Sequence, residues 1–141
     1  GGLRILVTHL QAGRRGAAVR AHQVDELLHE MQASRLPTVL MGDFNFHDDQ
    51  PDDHRSQERL YGEGLVDAAL ASGAEGPTWE PDQPYARGRH GAQRFDRILL
   101  RSGDHAELHA EEARVLRPSK ALSDHLPLWA RIRIRRLRDA T

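Results

Sequence analysis

The chain has 141 residues, a formal net charge of -1 and no cysteine. This length suits one compact domain and is sufficient to bury a hydrophobic core. The balanced charge provides no broad positive surface for nucleic acid, so any recognition of phosphate must be local. The lack of cysteine excludes disulfides, thiolate metal sites and cysteine nucleophiles, and metal chemistry here would use oxygen and imidazole ligands.

No apolar run in the sequence reaches the roughly 20 residues that a membrane-spanning helix requires. The opening residues, from Gly1 to Arg4, do not have the composition of a signal peptide. We therefore expect a soluble protein without a membrane span, located in the cytoplasm.

The first 41 residues follow a strand, helix, strand pattern. Branched apolar residues at 3–9 predict a buried strand, and residues 38–41 predict a second one that ends at Gly42. Between them, apolar residues recur at helical spacing, which predicts an amphipathic helix over residues 17–33. The residues that define this spacing are Val24, Leu27, Leu28 and Met31.

The remainder of the chain adds helices, a long loop and two further strands. An acidic segment at 47–59 reads as a loop that enters a short helix, and a second short helix is expected at 65–71. Residues 73–93, rich in Gly and Pro, predict a long surface loop, whereas 94–100 and 126–134 predict strands. The sequence thus predicts a mixed α/β (α+β) fold.

Four polar clusters lie at the ends of predicted strands, and strand ends from one sheet can converge in space. The clusters are Thr8-His9-Leu10, Gly42-Asp43-Phe44-Asn45, Arg94-Phe95-Asp96-Arg97 and Ser123-Asp124-His125. We expect their polar residues to meet at a single edge of the sheet. These residues are His9, Asp43, Asn45, Asp96, Asp124 and His125.

The spacing of these groups indicates acid–base chemistry on a phosphoryl group. Asp43 and Asn45 are two positions apart and point to one side of an extended segment, so one can orient a water and the other hold a phosphoryl oxygen. Asp124 and His125 are adjacent and should serve different partners, a hard cation and a phosphate oxygen respectively. Asp96 can then fix the tautomer of His125.

Six segments, in order along residues 3–134, resemble the second half of the endonuclease/exonuclease/phosphatase superfamily. They are THL, RxxQ from Arg20 to Gln23, GDFN, PTW from Pro77 to Trp79, RFDRIL and SDHLPL. Within the superfamily the sequence is most similar to the five-prime tyrosyl-DNA phosphodiesterase group and its bacterial relatives.

This resemblance implies half of a four-layer α/β sandwich, in which two similar sheets are flanked by helices. It also implies that residues 1–141 form a single domain, the carboxy-terminal half of the family's domain. The family's glutamate that binds the metal lies in the other half and has no equivalent here.

The same resemblance assigns roles to individual residues. It makes Asp43 the carboxylate that orients the attacking water, while Asn45 and His125 hold the non-bridging phosphate oxygens and Asp96 supports His125. Asp124 becomes a carboxylate at the metal, which the resemblance implies to be Mg²⁺ or, alternatively, Mn²⁺. His9 becomes a second imidazole at the phosphate or the leaving group.

The resemblance implies a metal-dependent hydrolase of phosphate esters, acting by in-line attack of water, with phosphodiesterases, nucleases and phosphatases as its models. Candidate substrates include DNA ends or adducts and phospholipid head groups. The alternative is a non-catalytic phosphate-binding or assembly module that has lost its metal. Because a half sandwich would leave one apolar face uncovered, we also expect a homo-oligomer.

Three further residues are candidates for substrate binding. Trp79 can wall the pocket and stack on a base or an aromatic leaving group, or it can belong to the core. Arg94 and Arg97 flank Asp96 and should lie on the face opposite Phe95, near the site, either as phosphate contacts or as ordinary charges on the strand surface.

Other polar residues have a structural interpretation. Arg20 and Gln23 share a helical face and are expected to brace it. The acidic stretch from His47 to His54 is expected to be a solvated loop with a helix cap, rather than a second metal site. The remaining histidines lie in no motif and are given no role; these are His22, His29, His90, His105 and His109.

Overall fold

The computed structural model describes residues 2–88 and 90–137. Six strands and three α-helices alternate within this part of the chain, and a short 3-10 turn at Arg14–Gly16 precedes the first helix. In chain order they are β1 Arg4–His9, α1 Ala17–Gln32, β2 Thr38–Asp43, α2 Pro51–Gly62, β3 Val66–Asp67, α3 Ala68–Ala71, β4 Asp96–Arg101, β5 Ala106–Val115 and β6 Leu128–Arg136. The predicted α/β class is confirmed.

The strands form a four-stranded sheet of order β1-β2-β4-β3 and a separate antiparallel ribbon of β5 and β6. β1 and β2 are parallel, whereas β4 is antiparallel to β2. The start of β4 therefore lies beside the ends of β1 and β2. As a result His9 is paired with Asp43, and Asp43 with Asp96, in one row across three strands.

Alternating residues of the central strands face two hydrophobic clusters. Leu40 and Leu99 belong to the cluster that includes Val24, Leu28 and Met31 of α1. On the other face, the adjacent residues Val39 and Leu100 pack with Ala68 and Leu108, the latter from β5. The amphipathic pattern predicted for residues 17–33 thus corresponds to a helix that covers one face of the sheet.

β5 was not predicted from the sequence. Its inward positions are mostly small, including Ala106, Ala110 and Ala113, and its intervening positions are charged. A register shift between Ala110 and Glu112 also interrupts the alternation that identifies a strand. β5 forms because it pairs with β6 along its length, and its own sequence pattern does not indicate this pairing.

Part of the sheet face that carries Val39 is exposed. Ile5 is 57% exposed and Val7 is 72% exposed, although both lie in register with residues of the second hydrophobic cluster. On β6, Ile134 is 51% exposed. An uncovered apolar face, which we expected for a half sandwich, is therefore present on the chain by itself.

Gly42 lets β1 and β2 approach each other immediately before the polar row. Its φ is 138°, and a Cβ at this position would lie 1.9 Å from the carbonyl oxygen of Thr8. Any side chain here would push the strands apart. Glycine is thus required for His9 and Asp43 to stand side by side.

Among the described residues, no helix combines the length and the apolar character that crossing a bilayer demands.

Candidate active site

The polar row at the sheet edge is extended by His125, from the loop that precedes β6. Oδ2 of Asp43 lies 3.4 Å from Nε2 of His9 and 3.8 Å from Nε2 of His125. Oδ2 of Asp96 lies 2.6 Å from Nδ1 of His125. Four groups from four segments of the chain are therefore in direct or near contact.

The Asp96–His125 contact fixes the orientation of the imidazole. An ionised carboxylate only accepts hydrogen bonds, so Nδ1 of His125 donates to Asp96 and Nε2 faces Asp43. The hydrogen bond to Asp96 raises the pKa of His125 above its ordinary value, against the opposing effect of burial. This arrangement favours an imidazolium with one N–H available for a ligand oxygen.

The PTW segment holds both members of this pair in place. The backbone N–H of Asp96 donates to Oγ1 of Thr78 at 3.0 Å, and the N–H of Leu126 donates to the Thr78 carbonyl at 2.6 Å. Trp79 forms isolated β-bridges with both His125 and Gln93. Thr78 is fully buried, so these bonds are shielded from competing water.

Asp43 is oriented by its own loop. Its Oδ1 accepts a hydrogen bond from the backbone N–H of Asn45 at 2.9 Å. Burial raises the pKa of Asp43, while this hydrogen bond lowers it and the nearby Asp96 raises it further. The net upward shift means that the carboxylate is a stronger base than an exposed aspartate.

Asn45 reaches its position by a different route from the one we expected. The prediction that Asp43 and Asn45 share one side of an extended segment is wrong, because β2 ends at Asp43. Asn45 has a φ of 51°, in the left-handed region that asparagine tolerates better than most residues. Its Nδ2 donates to the Leu10 carbonyl at 3.0 Å. The second N–H of the amide remains for a ligand.

All six residues of the expected cluster line one cavity of about 670 Å³. Its polar end is formed by His9, Asp43, Asn45, Asp96, Asp124 and His125. Its other end is aromatic, and the sequence reasoning did not anticipate most of it. The additional lining residues include His47, Trp79, Arg87, His90 and Phe95.

Trp79 is buried, at 3% exposure, and its ring contacts that of His90 at a centroid distance of 4.2 Å. Both predicted alternatives for Trp79 hold in part, since it belongs to the interior and also borders the cavity. The only sequence signal for His90 was its proximity to the PTW and RFDRIL segments. It had been given no role.

Arg94 and Arg97 do not lie where we expected them. Both bind the carboxylate of Asp67, and the guanidinium of Arg97 packs over the ring of Phe46 at 5.6 Å. Neither lines the cavity that holds Asp43 and His125. The alternation along β4 sends Arg97 to the face opposite Asp96, where Asp67 compensates its charge.

The acidic segment is partly buried, which corrects the expectation of a solvated loop with a cap. Asp53 is fully buried and forms a two-point ion pair with Arg20, at 2.8 and 2.6 Å. Its Oδ2 also accepts the backbone N–H of His47 at 3.0 Å. The residue before α2, Gln50, makes no side-chain cap.

Arg20 and Gln23 act as the predicted brace. Nη1 of Arg20 donates to the carbonyls of Gln11 and Gly13, at 2.8 and 2.7 Å, and Oε1 of Gln23 accepts the N–H of Gln11 at 2.8 Å. The loop after β1 is thereby fixed against α1. Gly13 in this loop borders the cavity.

Among the residues that the structure describes, one group of side chains has the geometry to hold a metal ion. Ligand atoms of Asp43, Asp96 and His125 lie within 4.8 Å of one another. Asp124, the residue predicted to bind metal, lines the same cavity but is not part of this group. Carboxylate oxygens are ligands that a hard cation such as Mg²⁺ prefers, and with two of them in this group a bound ion would keep several waters.

Comparison with known proteins decides the family. Residues 7–125 match the model of the Endonuclease/Exonuclease/phosphatase family. The chain belongs to this family. Its members are hydrolases, phosphodiesterases and phosphatases among them. No curated protein sequence matches the chain significantly.

Solved structures of this family share the fold. TDP2 (tyrosyl-DNA phosphodiesterase 2) of D. rerio, complexed with a single-strand DNA product, superposes with a TM-score of 0.71 at 18% identity and covers 92% of this chain. TDP2 of Caenorhabditis elegans, in truncated form, gives 0.56 at 25% identity over 89%. The mannosyl-6-phosphatase Bt3783 of Bacteroides thetaiotaomicron gives 0.58 at 18% over 91%.

The match extends over 55%, 53% and 50% of those three chains, respectively. This chain therefore spans about half the length of the structures it resembles. That proportion agrees with the half sandwich inferred from the sequence.

Proposed function

We propose that this chain provides one half of a metal-dependent site that hydrolyses phosphate esters, in which Asp43 orients the attacking water. The observation that carries the proposal is the contact of Asp43 with two imidazoles, of His9 and His125, at the polar end of one cavity. A carboxylate of raised pKa next to N–H donors is suited to accept a proton from water beside a phosphoryl group.

The donors around Asp43 define a place for the phosphoryl oxygens. His125, Asn45 and His9 all line the cavity beside Asp43, and each offers a nitrogen that can donate to a phosphoryl oxygen. Asp96 keeps His125 oriented and raises its pKa, so that its N–H is preorganised for an oxygen that becomes more negative.

Asp124, together with a carboxylate of the sheet edge, would hold a divalent cation, Mg²⁺ or, alternatively, Mn²⁺. When bound, such a cation polarises the phosphoryl group and neutralises the leaving oxygen. The chain's own residues would then position the water and the ester, and would protonate or stabilise the leaving group.

The substrate is proposed to be a phosphate ester of DNA or, as a second choice, of a phospholipid. DNA comes first because the D. rerio TDP2 structure contains a DNA product, while the Bacteroides phosphatase indicates that smaller esters also fit this fold. We further propose that residues 1–141 form a single domain that corresponds to the carboxy-terminal half of those enzymes.

Hydrolysis of bis(p-nitrophenyl) phosphate in the presence of Mg²⁺ tests the reaction. If the preparation is active, Asp43→Asn and His125→Ala should each lower turnover by about 10²–10³ or more. His22→Ala is the matched control, because this side chain is 86% exposed on α1. Full turnover in either site variant would refute the assigned roles.

The non-catalytic alternative is favoured by the small number of carboxylates in the metal group. A phosphate-binding module would bind inorganic phosphate through His125 and Asn45 and would need no cation. Titration with phosphate, with and without Mg²⁺, separates the two functions. Dependence of phosphate affinity on Mg²⁺ would exclude the metal-free module.

A second copy of the chain is the proposed cover for the exposed apolar face of β1. Covering several hundred Å² at about 25 cal/mol per Å² would contribute many kcal/mol. Analytical ultracentrifugation should detect a dimer at micromolar concentration, and Val7→Lys should dissociate it without unfolding the chain. A monomeric wild-type chain would refute this assembly.

A further inference from the structure

A single peptide unit links helix α1 to the side chain of Asn45. The carbonyl of Leu10 accepts a hydrogen bond from Nδ2 of Asn45 at 3.0 Å. On the other side of the same peptide plane, the N–H of Gln11 donates to Oε1 of Gln23 at 2.8 Å. Because a trans peptide is planar, this N–H and this C=O turn together as one rigid unit. Three amide groups therefore form one chain of hydrogen bonds, from Gln23 to Asn45.

The groups that take part fix the direction of both bonds. A carbonyl oxygen only accepts, so the amide nitrogen of Asn45 faces Leu10. A backbone N–H only donates, so the amide oxygen of Gln23 faces Gln11. The Asn45 nitrogen carries a second N–H, and because the amide is planar, fixing one N–H also fixes the direction of the other. The donor that Asn45 can offer in the cavity thus depends on how this peptide is turned.

Leu10 joins the loop after β1 to the end of β2. Its own N–H donates to the carbonyl of Asp43 at 2.9 Å, which fixes the peptide that precedes it. The next peptide plane, which carries the Leu10 carbonyl, is held by its N–H bond to Gln23. In a chain of hydrogen bonds each bond polarises the next, so donation to Gln23 also makes the Leu10 carbonyl a better acceptor for Asn45.

We propose that Gln23 is a positioning residue of the phosphate site, acting through the Leu10–Gln11 peptide to orient the amide of Asn45. The inference rests on the proposed function, in which Asn45 holds a phosphoryl oxygen. Gln23 itself lies on α1 and does not line the cavity, so it acts without touching the ester. The brace between α1 and this loop thereby becomes part of phosphate recognition.

Titration of the full chain with inorganic phosphate, followed by ¹H–¹⁵N NMR, tests this role. Gln23→Met preserves the length of the side chain and removes its acceptor. Phosphate should bind about threefold more weakly, the scale of one modest hydrogen bond, because Arg20 still holds the neighbouring carbonyl of Gln11. In the same spectra, the backbone N–H of Gln11 and the side-chain N–H of Asn45 should both shift.

Three further variants assign the effect to the chain of amides. Gln23→Glu retains an acceptor and should restore both the resonances and the affinity at about 0.15 M salt, where the added charge is largely screened. Gln32→Met, the same substitution at the exposed end of α1, is the matched control and should change neither. Asn45→Gly removes the amide while tolerating the positive φ, and in this background Gln23→Met should weaken phosphate no further.

The possible results separate this inference from the proposed function. Wild-type phosphate affinity in Gln23→Met, or an equal loss in the Asn45→Gly background, would overturn the positioning role and leave the phosphate site intact. A lower urea midpoint without loss of phosphate affinity would also overturn it, since a purely structural brace predicts only that. Failure of the wild-type chain to bind phosphate, or binding that His125→Ala does not weaken, would overturn the phosphate site and with it the inference.

Discussion

Replacing Arg20 with methionine should remove a large part of the stability of the chain. The guanidinium and its partner Asp53 are both fully buried, and breaking such a pair commonly costs about 3–5 kcal/mol because a charge is left uncompensated. The carbonyls of Gln11 and Gly13 lose their donor as well. Against a typical total of about 5–15 kcal/mol, this loss is large enough to lower the urea midpoint clearly.

Urea denaturation followed by tryptophan fluorescence measures this effect as a shift in midpoint. Arg15→Met is the control, because Arg15 is exposed in the adjacent turn. Arg20→Met combined with Asp53→Leu removes both charges, and should recover much of what the single variant loses.

A change of less than about 1 kcal/mol in Arg20→Met would refute the reasoning, since a surface ion pair contributes no more than that. A double variant as unstable as the single one would show that packing, and not the stranded carboxylate, causes the loss. Asp53 also accepts a hydrogen bond from the backbone N–H of His47, which lines the cavity. Any of these variants that still folds should therefore also be tested for loss of ligand binding in the cavity.

Three other outcomes are expected. Asp96→Asn should lower the pKa of His125, measured by NMR; in the wild type the stabilisation from this pair is fully present below the unfolded pKa of about 6.5 and is lost as pH rises through the raised folded value. Thr78→Val should leave the N–H of Asp96 without an acceptor and also shift the His125 titration, whereas Thr78→Ser should restore it. Calorimetry should show only weak Mg²⁺ binding to the chain alone, because few carboxylates surround the site; tight one-site binding would mean that a further side chain binds the metal.

The polar end of the cavity was predictable because strand ends are visible in sequence. His9 and Asp43 end parallel strands, and Asp96 starts an antiparallel neighbour, so backbone pairing alone brings them together. The order of the motifs along the chain then indicated that His125 belongs to the same site. Nothing comparable marks His47 or His90, which come close only after the chain on either side of residues 80–92 pairs at Trp79 and Gln93.

The sequence also did not indicate which charged residues form ion pairs when they are far apart along the chain. Arg97 was expected near the site, but it follows Asp96 directly in β4 and lies on the opposite face, and no local pattern indicates its partner Asp67, which is 30 positions away in sequence. Similarly, the acidic composition of α2 suggested solvent exposure, whereas Arg20 of α1 compensates Asp53 inside the core. Composition describes the average environment of a segment and does not identify the one residue that is buried.

The row formed by His9, Asp43 and Asp96 separates reactivity from recognition. Its spacing is set by the distance between hydrogen-bonded strands, about 4.8 Å, and does not depend on any loop. The aromatic end of the cavity, in contrast, is formed largely by Trp79, His90 and Phe95, which lie outside the regular strands and helices. Exchanging residues 79–95 between relatives should therefore transfer the preference for the group that is esterified to the phosphate, while the phosphate chemistry stays in place. This half of the fold is thus a practical scaffold for introducing new specificities.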